Sequence, residues 1–275
     1  MKYFLYITVF SFFINSCGPN ALSGLGSQTS DDFYMEEATK ANNSQNYDYA
    51  LDVLLNKLSA TGRAAVPAVE LLASAYAGKC GFNFVQYVDS LSQSSSTAVF
   101  NVMMQPFVQV ATDPSYCLLA LQTIDTLGAP GIRTANQNTF SAITGLVLMG
   151  ASTRAYADKD GTGNNGSGTM DSVDMICDNT LVTDNQMNDI IVGYGYFVTN
   201  LAYVSASMLG SSSFNGLNDS VAACNSVPGA DCTITDKNNV SAGTRLAIRR
   251  LLNTSTYGIG NRSGATPADL LLACP

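Results

Sequence analysis

Seven aspartates, Asp158, Asp160, Asp171, Asp174, Asp178, Asp184 and Asp189, fall in one stretch whose only basic residue is Lys159. Carboxylates brought together at that density repel one another, and a divalent cation between them relieves the repulsion. The run Asp158-Lys159-Asp160-Gly161-Thr162-Gly163-Asn164 sets oxygen-bearing side chains at alternate positions, with glycine where a sharp bend is needed. Asp158, Asp160, Thr162, Asn164 and, further on, Asp171 are therefore the candidate ligands for a calcium ion. The twelfth position of such a loop holds Thr169 where a bidentate Glu would stand. A site built this way is weak, with a Kd of roughly 10⁻⁴–10⁻³ M, and the competing expectation is a solvated Gly/Asn/Ser-rich loop over 158–178.

The opposite charge pattern follows. Lys237, Arg245, Arg249, Arg250 and Arg262 lie between Asp236 and Asp269 with no acid among them. Arg245 and Arg249, four apart, share a helix face that would hold a carboxylate or phosphate, or pair with the acidic stretch. Much other chemistry is excluded outright. The chain has no His, which removes Ser-His-Asp and Cys-His catalysis together with imidazole metal sites. It has only Glu36, Glu37 and Glu70, no Ser three residues before a Lys, and no Gly-x-Ser-x-Gly elbow. Gly161-x-Gly163-x-x-Gly166 fits the dinucleotide fingerprint in letters, but acidic residues surround it and no strand precedes it. The expectation is a protein that binds rather than catalyses.

The elements that position these residues are helical. Tyr47, Ala50, Leu51, Leu54, Leu55 and Leu58 recur three and four apart on one face, after a break near Asn42–Asn46. Pro67–Gly78 with Phe82–Leu91, and Ala98–Val110 with Tyr116–Leu127, repeat the arrangement. In the second half, helices are expected over Asn136–Ala157, Ile190–Leu209 and, after a Ser241 cap, Ala242–Asn253. Gly210–Val240 reads as a loop. No charge occurs between Asp189 and Asp219, but Gly193, Gly195 and Asn200 make a helix wrapped by neighbours a better account than a membrane span.

The aromatic residues that open each second helix, Tyr47, Phe82 and Tyr116, stand 35 and 34 apart. With Leu72-Ala73-x-x-Tyr76 and then Phe82-x-x-Val85, residues 31–128 resemble tetratricopeptide repeats. The resemblance implies an all-α fold of stacked hairpins, in an α-solenoid or bundle, with residues 129–275 forming a C-terminal helical region. A non-repetitive helical bundle is the alternative, and it is all-α as well.

The N-terminus points to a location. Lys2 precedes an apolar run, Tyr3 to Ile14, that is too short to span a bilayer. The run ends in Ile14-Asn15-Ser16-Cys17, which resembles the lipobox of bacterial lipoproteins. That resemblance implies cleavage of signal peptide 1–16 and diacylglycerol on the Cys17 thiol, with acyl chains such as palmitate. Residues 17–30 would then form a flexible tether. Gly18, rather than Asp, after the cysteine implies by the same resemblance the outer membrane, with the body facing the periplasm. A net charge of -8 and a pI near 4.3 repel phosphate, so nucleic acid is excluded as a general partner. The implied partners are the membrane, through the anchor, and an envelope protein or peptide. The other reading is a periplasmic small-molecule binding lipoprotein with a pocket between helices.

Beyond Cys17 six cysteines remain, Cys80, Cys117, Cys177, Cys224, Cys232 and Cys274, consistent with an oxidising compartment. No C-x-x-C occurs, and fifteen pairings are open. Cys224 and Cys232 flank the Pro228-Gly229 turn and form the local candidate pair. Stacked repeats would bring Cys80 to Cys117, leaving Cys177 for Cys274. Globomycin, or Cys17→Ala, is expected to leave uncleaved precursor that no longer partitions as an acylated protein; unchanged processing and anchoring would refute the anchor.

Overall fold

The computed structural model describes residues 29–83, 87, 89, 98–159, 166–168, 175–177, 179–203, 211–264 and 266–274. Among them there is no strand, only an isolated bridge between Thr254 and Arg262. Helix α1 (Asp31–Asn43) starts where Ser30 Oγ accepts the Phe33 N–H, and α2 (Tyr47–Asn56) where Asn46 does the same for Tyr49. Between them Gln45 takes a positive φ of 61°, which turns the chain back on itself. Short α3 (Ala60–Ala64) leads into α4 (Val66–Lys79), which has proline in its first turn. Ala38, Val53, Leu54, Leu58 and Ala68 close a small core between these helices. Leu55, expected inside, is 38% exposed.

The expected helix Phe82–Leu91 lies almost wholly outside the described residues, including Val85. Ala98–Val110 is shorter than expected: α5 (Val99–Met104) gives way to a 3₁₀ turn, Gln105–Phe107. Pro106 supplies no N–H and crowds the preceding turn, so the α-helix stops there. Then come α6 (Pro114–Asp125) and α7 (Ala135–Ala157), the latter opened by a reciprocal capping box of Thr134 and Gln137. Thr183 and Gln186 open α8 (Asp184–Asn200) in the same way. The region 210–240 is not simply a loop, since α9 (Ser211–Asn225) occupies much of it. Ser241 caps α10 (Ala242–Asn253), and α11 (Pro267–Ala273), which no periodic stripe announces, ends the fold. No described helix is long and apolar enough to cross a membrane.

Helix α7 is the axis of the larger core. Every residue from Ser141 to Arg154 is buried, so no face of this stretch meets water. It packs along α8, with α5 and α6 against its other sides. The α7–α8 approach depends on two glycines. A Cβ on Gly145 would lie 2.7 Å from the Gly193 carbonyl oxygen, and a Cβ on Gly193 would lie 2.7 Å from that of Gly145.

Three cystines brace the bundle, and they are the three pairs expected. Cys80, at the end of α4, meets Cys117 in the first turn of α6, with Cα atoms 5.2 Å apart. Cys177 meets Cys274 at 5.4 Å, and Cys224 meets Cys232 at 6.3 Å. Chain-entropy arguments put bridges of this kind at about 2–4 kcal/mol each, more for the widest loop.

Gly145→Ala is expected to destabilise the protein by about 1–3 kcal/mol through overpacking, despite alanine's better helix propensity. Each kcal/mol corresponds to a Tm lower by about 2–4 °C in a domain of this size. Gly131→Ala is the control, because a Cβ there meets nothing within 4 Å. Thermal unfolding of the two variants checks this.

Candidate functional site

An open cleft of about 410 Å³ lies between the first hairpin and the helices behind it. The end of α1 and its turn supply Asn42, Asn43 and Gln45, and α2 supplies Tyr47. The inner wall is Ser74 and Gly78 of α4, Phe82 and Asn83 come from the segment after it, and Phe140 from α7. Gly78 is what lets the Tyr47 ring lie against α4, because a Cβ at that position would collide with the ring. Partial burial pushes the Tyr47 phenol up from its ordinary range, so it remains a neutral hydroxyl at physiological pH.

The cleft's chemistry is uniform. Its lining holds carboxamides, a serine and aromatic rings, with no carboxylate, amine or guanidinium. Asn42 Nδ2 donates to Ser74 Oγ at 3.3 Å, while Asn42 Oδ1 is buried without a hydrogen-bond partner. An orphaned buried acceptor costs about 1–3 kcal/mol until a donor reaches it. With no group that titrates near neutrality, the lining has nothing to move a proton at a reacting atom; it is suited to holding a ligand.

Of the three periodic aromatics, Tyr47 and Phe82 line this cleft and Tyr116 does not. Tyr116 stacks on Tyr76 with ring centroids 6.2 Å apart, and Lys79 sits 4.7 Å above its ring. Lys79 also pairs with Asp48.

The expected anion-binding arginines are turned into the fold. Arg249 is 4% exposed and donates to the carbonyls of Ile176 and Val182, to Asn179 Oδ1 and, at 2.9 Å, to Asp184 Oδ1. Arg245 reaches Asp184 Oδ2 at 3.4 Å and donates to the Val240 carbonyl. Asp184 thus pairs with both guanidinium groups, with Arg249 buried and Arg245 partly exposed.

Of the five candidate calcium ligands, Asp160, Thr162, Asn164 and Asp171 lie outside the described residues. Asp158 is fully buried. Its Oδ1 accepts the Ser167 N–H at 2.7 Å and the Ser167 hydroxyl at 3.1 Å, and its Oδ2 accepts the Gly168 N–H at 2.9 Å. Gly166 and Gly168 are in turn held against Val108 and Gln105. The carboxylate therefore pins the far side of its own loop. Among the described residues no group of three or more His, Cys, Asp or Glu could hold a metal ion.

No protein-family model matches this chain, no curated protein matches it, and no solved structure matches it.

Asp158→Ala strands the buried Gly168 N–H, at a cost on the order of 1–3 kcal/mol. The variant is expected to unfold at lower temperature in EDTA and in millimolar calcium alike. A calcium-specific rise in the wild-type midpoint that the variant abolishes would instead make Asp158 a ligand.

Proposed function

We propose that this chain is a non-catalytic, lipid-anchored lipoprotein facing the periplasm from the outer membrane, a tetratricopeptide-like helical scaffold that binds an envelope protein or peptide. The observation that carries the reading is the uncharged cleft of carboxamides and rings, with the orphaned Asn42 Oδ1 in its wall. A side-chain carboxamide offers the same donor and acceptor as a peptide bond, so a lining of carboxamides such as Asn43 and Gln45 is chemically suited to an extended main chain. Tyr47, Phe82 and Phe140 supply flat apolar area for a side chain between them. The 34–35-residue spacing that sets Tyr47 and Phe82 in one wall supports the repeat reading, since stacked hairpins make a concave surface of this kind. The lipobox-like Ile14-Asn15-Ser16-Cys17 supports the anchor, and three cystines support an oxidising compartment.

A small molecule is the second reading, since a volume of about 410 Å³ falls within the range of small-ligand sites. One experiment separates the two. Envelope proteins crosslinked to the full-length lipoprotein are compared for wild type, Asn42→Ala and Tyr47→Ala, beside a metabolite thermal-shift screen of the same three. Loss of one crosslinked partner in both variants, with circular dichroism unchanged, is the expected result, with affinity down about tenfold or more for each lost anchor. A partner retained equally by all three would remove the cleft from the binding surface, and a thermal shift without any partner would favour the small molecule.

A further inference from the structure

A second cavity, of about 360 Å³, opens where the C-terminal ends of α6 and α8 meet the turn that runs through Gly128 and Pro130 to Arg133. Asp125, Arg133, Tyr196, Thr199 and Asn200 wall it, and Thr235 closes one side. Arg133 Nη1 donates to Asp125 Oδ1 at 2.6 Å, Nε to Asn138 Oδ1 at 3.1 Å and Nη2 to Asn200 Oδ1 at 3.4 Å. The Tyr196 hydroxyl donates to Asp125 Oδ2. The exposure of the ion pair is lopsided: the Arg133 side chain is 1% exposed and that of Asp125 is 40% exposed. What reaches the cavity is the anion.

The charge balance has the same sign. One carboxylate and one guanidinium cancel, but the C-terminus of α6 brings roughly half a negative charge, while α8 runs on past the cavity into a 3₁₀ turn, Leu201–Tyr203. The Asp236 carboxylate is near enough to act on Tyr196 and adds to the field. Hydrogen bonding agrees. Thr199 spends its hydroxyl proton on the Gly195 carbonyl at 2.9 Å, and Asn200 Nδ2 donates to the Tyr196 carbonyl at 2.8 Å. Tyr196 is held neutral by burial and by Asp125, and its proton is committed to that carboxylate. The groups left over are lone pairs: the second pair on each Asp125 oxygen and one on Thr199 Oγ1, which already accepts from Asn200 Nδ2 at 3.2 Å.

We propose that this cavity binds the ammonium group of a protonated primary amine. Such a group brings one positive charge and three donors with no acceptor, which complements a lining of net negative field and unused acceptors. A bare calcium ion fits poorly, since it wants six to eight oxygens close around it and only one carboxylate is offered. The amine would be either a free small molecule or a lysine side chain of another protein.

Isothermal titration of the full-length lipoprotein with n-butylammonium is the test, with n-butanol as the uncharged isostere and calcium chloride as the metal arm. Expected are butylammonium binding that weakens as salt is raised, no binding of butanol, and a loss of about tenfold or more in Asp125→Asn. Because Asp125→Asn leaves Arg133 buried without its anion, Thr235→Leu is run beside it. That change fills the cavity, keeps the ion pair and should also abolish binding. Nα-acetyl-lysine methylamide binding tighter than butylammonium assigns a protein lysine, and weaker binding assigns a free amine. No butylammonium binding, equal binding of butanol, preferential binding of calcium, or full affinity in Thr235→Leu would each overturn the proposal.

Discussion

The contact on which the rest of the molecule depends is backbone against backbone, where Gly145 of α7 lies on Gly193 of α8. With no Cβ on either side, each helix comes within van der Waals reach of the other's carbonyl oxygens. That closeness sets the distance at which Tyr194 and Phe197 are fully buried, and it keeps α7 enclosed over Ser141–Arg154. A helix enclosed on every side must quiet its own polar groups. Ser141 and Thr153 do so by donating back to the carbonyls of Gln137 and Met149, one turn earlier, whereas Thr144 Oγ1, Ser152 Oγ and Arg154 Nε and Nη2 stay buried without a partner. The central pair is therefore specified as much by small residues as by large apolar ones.

Outside that axis, buried arginines join segments distant in sequence. Arg249 collects two carbonyls, a carboxamide and the Asp184 carboxylate and so fixes the polar stretch before α8 onto α10. Arg133 does the same between α6, α7 and α8. Guanidinium groups suit this work because several N–H donors leave one plane in fixed directions and can satisfy several chain ends at once. The result is a chain with few charged residues in which the Arg133 and Arg249 charges are spent on architecture, Arg154 is buried with Nε and Nη2 unpartnered, and the cleft beside α1, α2 and α4 holds no charge.

What could be read from the sequence follows the range of the signal. Helix α10 was legible from Ser241 to Asn253 because cap and stripe are both local, and α1 and α2 because Asn46 interrupts a strong apolar period. Helix α9 was not, since Ser211–Ser213 and Gly216 give a polar, weakly periodic run whose helicity depends on what packs against it. The cleft was half visible. Tyr47 and Phe82 stood out through their spacing, but Asn42, Ser74 and Phe140 come from separate elements and share no pattern until those elements meet. The same holds for Asp125 and Arg133, an ordinary pair of charges until Tyr196 and Asn200 arrive from α8. The Arg245–Arg249 face was seen correctly as a face; which side of it met water was set by Asp184, across the fold.

The three cystines are nested or separate and never interleaved. The Cys224–Cys232 loop lies wholly inside the span from Cys177 to Cys274, and Cys80–Cys117 lies wholly before it. No bridge has to close before another, and none has to reopen to let a later segment thread through. The three native bridges can thus close in any order, although Cys177 must pass over Cys224 and Cys232 to reach Cys274. A cell making the protein needs an oxidant for it and, because the cysteine that follows Cys177 in the chain is Cys224 rather than its partner, a route that avoids or reverses a Cys177–Cys224 bridge.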